Sequence, residues 1–300
     1  KKVLASTLVG ASSYDLKGME FDVVFIDEAA KGLEAATWIP ILKAKKVVFA
    51  GDHCQLPPTI KSYQAAQEGL AETLFEKVIA RKPRASQMLQ VQYRMPEGIM
   101  GLTHEPFYMG ELQAAENTRS HVFPGEDNSL EWNDTAGAGY ADHKEQDGLS
   151  NCNPEEAAFA CRYLNEIVKR IGIAHFKQEC WTIGLIAPYG AQVRLLRSLI
   201  FEGFEYPNLR AFSDVITIDT VDGFQGQERD LMMISLTRSN EKGEIGFLAD
   251  ARRMNVALTR AKRKLVLIGD SSTLAQNPFF DKLLKYFEEQ DGYRSVWEFL

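Results

Sequence analysis

Two adjacent carboxylates, Asp27 and Glu28, follow the apolar run Phe21-Asp-Val-Val-Phe-Ile26. A carboxylate at a strand tip can hold a divalent cation that bridges the β- and γ-phosphates of a nucleotide. Its neighbour can orient and polarise an attacking water. A solvated strand end also favours acidic residues, so the pair alone does not decide. A second run, Lys46-Val-Val-Phe-Ala50, leads into Gly51-Asp-His-Cys-Gln55-Leu-Pro-Pro58. Glycine permits a tight turn and the prolines stiffen its exit. Such a turn can hold the Gln55 amide where it senses a γ-phosphate, although an ordinary strand-to-helix turn reads the same way. A third run, Val215-Ile-Thr-Ile218, precedes Asp219-Thr220-Val-Asp222-Gly-Phe-Gln225-Gly226-Gln-Glu228. Its glycines admit close approach of a phosphate or ribose, and Thr220 and Gln225 offer hydrogen bonds. Two arginine segments complete the set, Gln92-Tyr93-Arg94-Met95 and Asn255-Val-Ala-Leu-Thr259-Arg260-Ala-Lys262. The alternative for each is a surface arginine in an ion pair of little energetic weight.

The runs that must position these residues are short, nearly continuous in apolar character and rich in β-branched residues. That pattern fits parallel strands covered on both faces. Trp181–Ala187, Leu231–Leu236 and Leu265–Ile268 read the same way. Helical spacing separates them. Ala157, Cys161, Leu164, Ile167, Val168 and Ile171 follow the start signal Asn153-Pro154; Val193, Leu196 and Leu199–Ile200 follow Pro188; Asn277-Pro278 opens a last helix. Strands alternating with helices predict an α/β fold with parallel sheets, and ligands at the carboxyl ends of the strands. The polar stretch 140–153 reads as a loop.

The chain has 300 residues, 45% hydrophobic and 25% charged, enough for two domains of ordinary globular composition. No run approaches the ~20 apolar residues of a membrane span. The four scattered cysteines form no Cys-x-x-Cys pair. They argue against a structural zinc site and for a reduced, intracellular setting, cytoplasmic or nuclear. Net charge is −7, but the stretch from Glu105 to Glu156 holds twelve carboxylates against Arg119 and Lys144, leaving the rest of the chain at +3. From Arg252 to Lys264 there are six basic residues and no acid. Because screening acts over ~8–10 Å, a polyanionic partner stays open.

In this order the motifs resemble those of the superfamily 1 helicases, in the branch holding the nonsense-mediated decay helicase and the immunoglobulin mu-binding helicase. Asp27-Glu28-Ala-Ala resembles motif II, Gly51 to Pro58 motif III, Gln92 to Met95 motif IV, Thr220 to Glu228 motif V and Asn255 to Lys262 motif VI. The resemblance implies two RecA-like parallel-sheet domains that hydrolyse ATP between them and translocate on single-stranded RNA or DNA, 5′ to 3′, as a monomer. It implies that Asp27 holds Mg²⁺, Glu28 is the catalytic base and Gln55 couples the γ-phosphate to nucleic acid. Arg94 and Arg260 would neutralise transition-state charge, Tyr93 pack on the adenine, Gly226 lie at the nucleotide and Glu228 contact the ribose. Ser6, Thr7, Pro188, Tyr189 and Thr220 match positions that follow the nucleic-acid backbone. No Gly-x-x-x-x-Gly-Lys-Ser/Thr loop is present, so the expectation is an incomplete first domain, 1–83, lacking that loop and not hydrolysing ATP alone. The second domain, 84–300, would carry an acidic elaboration near 105–153. The alternatives are a non-catalytic nucleic-acid-binding scaffold with the same fold and the helicase part of a helicase-nuclease.

Overall fold

The computed structural model describes residues 3–145, 148 and 150–299. The domain ends expected at Lys1 and Leu300, and positions 146, 147 and 149 of the expected loop, lie outside the described residues. The chain divides between Met88 and Leu89 into two compact units. Among the described residues no helix is long and apolar enough to cross a membrane.

In the first unit β1 (Phe21–Ile26) pairs in parallel with β2 (Ala44–Phe49), Phe21 facing Ala44 and Ile26 facing Phe49. Helix α1 (Glu34–Ile41) lies in the connection that a parallel pair requires. Helix α2 (Leu74–Arg81) starts at a reciprocal cap: Thr73 Oγ1 accepts from the Glu76 N–H at 3.2 Å, and Glu76 Oε2 accepts from the Thr73 N–H at 2.9 Å. Lys77 Nζ reaches Glu34 at 2.7 Å and ties the two helices; that hydrogen bond holds the Glu34 carboxyl below its usual range. The apolar run of β1 predicts burial on both faces, yet Phe25 is 76% exposed. Packing covers the carboxyl end of the strand, where Ile26, Ala29 and Ala30 are buried, and leaves its middle open.

The second unit holds a sheet of six parallel strands: β3 (Leu130–Asp134), β4 (Ile183–Ala187), β5 (Ile216–Thr220), β6 (Arg229–Ser235), β7 (Ala261–Gly269) and β8 (Tyr293–Ser295). Their spatial order is β8-β3-β7-β6-β4-β5. Its longer helices are α3 (Glu97–Tyr108), α4 (Pro154–Ile171), α5 (Gly190–Arg197), α6 (Ala251–Leu258) and α7 (Pro278–Glu289). The two expected helix starts hold. Asn153 Oδ1 accepts from the Glu156 N–H at 3.0 Å, and Asn277 Oδ1 accepts from the Phe279 N–H at 2.9 Å. Leu164 and Ile167 of α4 pack with Ile183, Leu185, Met233 and Val266 of the sheet in the core. The α/β class with parallel sheets is the one expected.

The stretch 105–153 differs from the acidic elaboration expected. It supplies β3, between β8 and β7, and all five residues of that strand are buried. Partners remote in sequence make this possible. Glu131 accepts from the Tyr163 hydroxyl and lies 3.2 Å from Lys264 Nζ. Asp134 accepts from the Ser271 N–H at 2.9 Å and hydroxyl at 2.6 Å, and from the Tyr293 hydroxyl at 2.8 Å.

Glu156, in the first turn of α4, is fully buried, its Oε1 accepting from the Ser235 hydroxyl at 2.5 Å and the Thr237 N–H at 2.8 Å. Burial pushes its carboxyl up to about 8. The folded value therefore exceeds the unfolded one, so this group's stability is fully present below about 4.5 and is lost as pH rises toward about 8. Glu156→Gln keeps the Oε1 contacts without the charge. In thermal melts the wild type should lose more melting temperature between about pH 5 and pH 8 than the variant, at about 2–4 °C per kcal/mol. Equal losses would show that Glu156 does not ionise in this window.

Candidate functional site

Asp27 and Glu28 stand exposed at the carboxyl end of β1. Glu28 lies in the left-handed region, φ 51° and ψ 38°, a strain of ~1–3 kcal/mol for a non-glycine residue. The surroundings hold it there. Its N–H donates to Asp27 Oδ1 at 2.9 Å, the next N–H, of Ala29, donates to Ala50 O at 2.8 Å, and Lys31 N–H donates to Glu28 O at 2.9 Å. Glu28 Oε2 lies 3.3 Å from Lys31 Nζ. Asp27 Oδ2 has no hydrogen-bond partner among the described residues. An exposed carboxylate oxygen fits Mg²⁺, which keeps most of its waters and takes one or two protein carboxylates.

Gly51 makes the turn after β2 possible: a Cβ there would lie 3.0 Å from Ala29 N and 3.1 Å from Ala30 N. Asp52 then organises the loop, its Oδ1 accepting from the Cys54 N–H and its Oδ2 from Gln55 Nε2, both at 2.9 Å. Asp52 is thus a positioning residue for Gln55 that sequence reasoning left unassigned, although an aspartate two residues before the N–H it accepts is a readable turn signal. Ser6 and Thr7 are exposed and locally engaged: the Ser6 hydroxyl donates to Thr7 O at 3.1 Å, and Thr7 Oγ1 accepts from the Gly10 N–H at 3.0 Å.

In the second unit the two arginines meet on one residue. Arg94 Nη1 donates to Thr259 O at 3.0 Å, and its Nε donates to Glu228 Oε2 at 2.6 Å. Arg260 donates from Nη2 to Thr259 Oγ1 at 3.0 Å, from Nε to Val256 O at 2.9 Å and from Nη1 to Gln227 O at 3.2 Å. Arg260 is only 2% exposed. Its guanidinium is turned inward, because the last turn of α6 leaves carbonyls that it satisfies. It does not present itself to a ligand as the motif predicts. Glu228, expected at a ribose, is engaged by Arg94. Tyr93 presents its ring to solvent, and Gly226 sits at φ +80° in an open turn with nothing near a would-be Cβ. Glu228 and Arg260 immediately precede β6 and β7, so this cluster occupies the amino ends of those strands. Thr220, Pro188 and Tyr189 lie at the carboxyl ends of β5 and β4. The two arginine segments, which the sequence ties to no strand end, thus gather at the amino ends of β6 and β7.

Thr220 is half-buried, its Oγ1 accepting from the Gly223 N–H at 3.3 Å; Pro188 is half-buried too. Tyr189 is a correction. It is 4% exposed, covered by Phe247 with ring centroids 5.4 Å apart, and its hydroxyl oxygen accepts from the Phe247 N–H at 3.3 Å. It supports a surface residue and does not itself reach a strand. The basic run also disperses. Lys264 is buried against Glu126 at 2.6 Å, while Lys262 and Arg263 lie 3.4 and 3.6 Å from the buried Asp230. Arg253 lies 3.6 Å from Asp222.

Two family models, both described as AAA domain, match residues 1–63 and 70–272. The chain is 39% identical over 312 residues to the DNA-binding protein SMUBP-2 of Mesocricetus auratus, covering 99% of this chain and 30% of that protein. It is 38% identical over 296 residues to an uncharacterized ATP-dependent helicase of Methanocaldococcus jannaschii, covering 95% and 41%. It is 34% identical over 296 residues to the regulator of nonsense transcripts 1 homolog of Drosophila melanogaster, covering 96% and 24%. The chain spans less than half the length of each of these relatives.

Proposed function

The chain belongs to the AAA-domain family of superfamily 1 helicases, in the branch of the nonsense-mediated decay and immunoglobulin mu-binding helicases, and we propose that it serves ATP-driven movement along single-stranded RNA or DNA. The observation that carries this reading is the strand-end pair Asp27–Glu28, with Glu28 locked in a strained conformation against the Gly51 turn. Asp27 would hold Mg²⁺, whose charge offsets that of the phosphates. Glu28 orients and polarises the attacking water, and Gln55, steered by Asp52, reads the γ-phosphate. Tyr93 packs on the adenine beside Gly226. Arg94 and Arg260 neutralise charge that develops on the transferred phosphoryl group, which requires Arg94 to exchange its Glu228 contact and Arg260 its carbonyl acceptors. Glu228, so released, contacts the ribose. Relatives named for DNA binding and for nonsense transcripts support a nucleic-acid substrate and leave both sugars open; the polarity is taken as 5′ to 3′. Ser6, Thr7, Pro188 and Thr220 follow the strand backbone. In the full-length protein, ATP turnover should rise when single strands are added; no turnover with or without strands would favour a scaffold.

Strand binding by the 300-residue chain itself should be weak and salt-dependent. Arg260 and Lys264 are buried and Lys262 and Arg263 face Asp230, so only a few phosphates can be neutralised. With a slope of about −0.7 per phosphate on single strands, log affinity against log salt should fall with a slope of about −1 to −3. Titrating a fluorescent oligonucleotide at several salt concentrations measures it. A flat line would overturn the electrostatic contribution.

A further inference from the structure

Phe247 is 58% exposed, and its exposure is built into the fold. The turn Gly246–Ala249 that carries it is anchored on both sides by Ile245 and Leu248, which are buried. Gly246 has φ +56°, and a Cβ at that position would lie 2.3 Å from the Tyr189 hydroxyl, so glycine lets the turn settle directly on Tyr189. The Phe247 ring packs against the Tyr189 ring at a tilt of 38°, and its N–H donates to the Tyr189 hydroxyl. Tyr189 is fixed in turn: the Arg238 guanidinium sits 6.0 Å from its ring, and Arg238 Nε lies 3.0 Å from Asp142 with both side chains nearly buried. The turn that carries Phe247 is therefore held against a fixed, buried tyrosine. The side chain, held against Tyr189 and with the Arg253 guanidinium over its ring, still meets solvent over more than half of its surface.

Arg253 flanks this ring, its guanidinium carbon 5.5 Å from the centroid and its Nη1 donating to Phe247 O at 3.5 Å. The same guanidinium lies 3.6 Å from Asp222, two residues beyond Thr220. Between Ser235 and Arg260, Phe247 is the one exposed large hydrophobic residue among the described residues. An isolated aromatic face beside a guanidinium is too small and too polar in its surroundings for a protein interface, which needs a contiguous apolar centre. It does match one unpaired base, stacked on the ring, with the adjacent phosphate at the arginine.

We propose that Phe247, backed by Tyr189 and flanked by Arg253, is a base-stacking platform for single-stranded nucleic acid. The proposal rests on the reading of the protein as a single-strand binder. The test is a titration of fluorescein-labelled oligodeoxythymidine, oligouridine and an abasic strand of equal length into the 300-residue chain. Phe247→Ala should weaken binding to the base-bearing strands about 5- to 150-fold, the range for loss of one base–aromatic stack, with the salt slope unchanged. Phe247→Trp should keep the affinity and Phe247→Leu should not. Wild type and Phe247→Ala should bind the abasic strand equally. Arg253→Ala should flatten the salt slope by about 0.7, one phosphate. Wild-type binding that Phe247→Ala leaves unchanged would overturn the platform while the strand-binding reading survives. Recovery by leucine, or an equal loss on the abasic strand, would assign the ring to protein packing and overturn it too. No strand binding by the wild type would overturn both readings.

Discussion

Replacing Glu28 by glutamine in the full-length protein is expected to lower ATP turnover by at least ~10²-fold, the lower end of what a positioned general base contributes, with nucleotide affinity close to that of the wild type. Glutamine matches glutamate in size and occupies the left-handed conformation at φ 51° no worse, so the turn against Ala50 and Gly51 should persist. What disappears is the negative charge that polarises water, and with it the 3.3 Å ion pair to Lys31. Asp27→Ala is the contrast. It removes the carboxylate whose Oδ1 accepts the Glu28 N–H and whose Oδ2 is available to a cation, so magnesium-dependent nucleotide affinity should fall along with turnover. Steady-state kinetics with a fluorescent nucleotide titration on both variants separates the roles. An equal loss of affinity in the two would contradict them.

Arg260→Lys is expected to cut turnover by at least ~10²-fold, within the reach of an arginine that meets developing γ-phosphoryl charge. The structure sharpens the alternative. Arg260 is buried and gives its three nitrogens to Val256 O, Gln227 O and Thr259 Oγ1, so it could act solely as a clamp joining α6 to the turn before β6. A lysine ammonium cannot reproduce that fork, and losing hydrogen bonds to a charged group costs about 1.5–3 kcal/mol each. A clamp alone predicts a lower melting temperature with near-normal turnover per folded molecule. A residue that also leaves its carbonyls to meet the nucleotide predicts lost turnover in the fraction that stays folded. Kinetics and thermal melts on the same preparation distinguish the two. Strand affinity without nucleotide should hardly change, because Arg260 is not at the surface.

Helix α6 gives these effects a common physical setting. Its start follows the Phe247 turn and carries Arg253; its end leads into Thr259 and Arg260. The helix itself is eight residues long, about 12 Å at 1.5 Å each.

Much of the scaffold is legible in the amino-acid sequence, for local reasons. A strand covered on both faces must be apolar almost throughout, and the runs ending at Ala187, Ile218, Leu236 and Ile268 carry that mark. Asn153 and Asn277 each precede a proline and cap a helix through an N–H two or three residues away. The turn glycines and the Asp27–Glu28 pair are readable in the same way, because backbone conformation and strand-end position depend on neighbours in sequence. Tertiary structure alone decided the rest. Leu130–Asp134 reads in sequence as part of an acidic elaboration, and it is a core strand because Tyr163, Lys264, Ser271 and Tyr293 arrive from elsewhere to satisfy Glu131 and Asp134. Six basic residues in thirteen positions look like one cationic patch. A helix followed by a strand sends them in different directions, and Arg260 and Lys264 end up buried. Tyr189 and Phe247 are both single aromatics beside a glycine, and only their packing buries the one and exposes the other. Burial of a polar or charged group costs too much unless partners meet it, and those partners lie at sequence distances that no local pattern records.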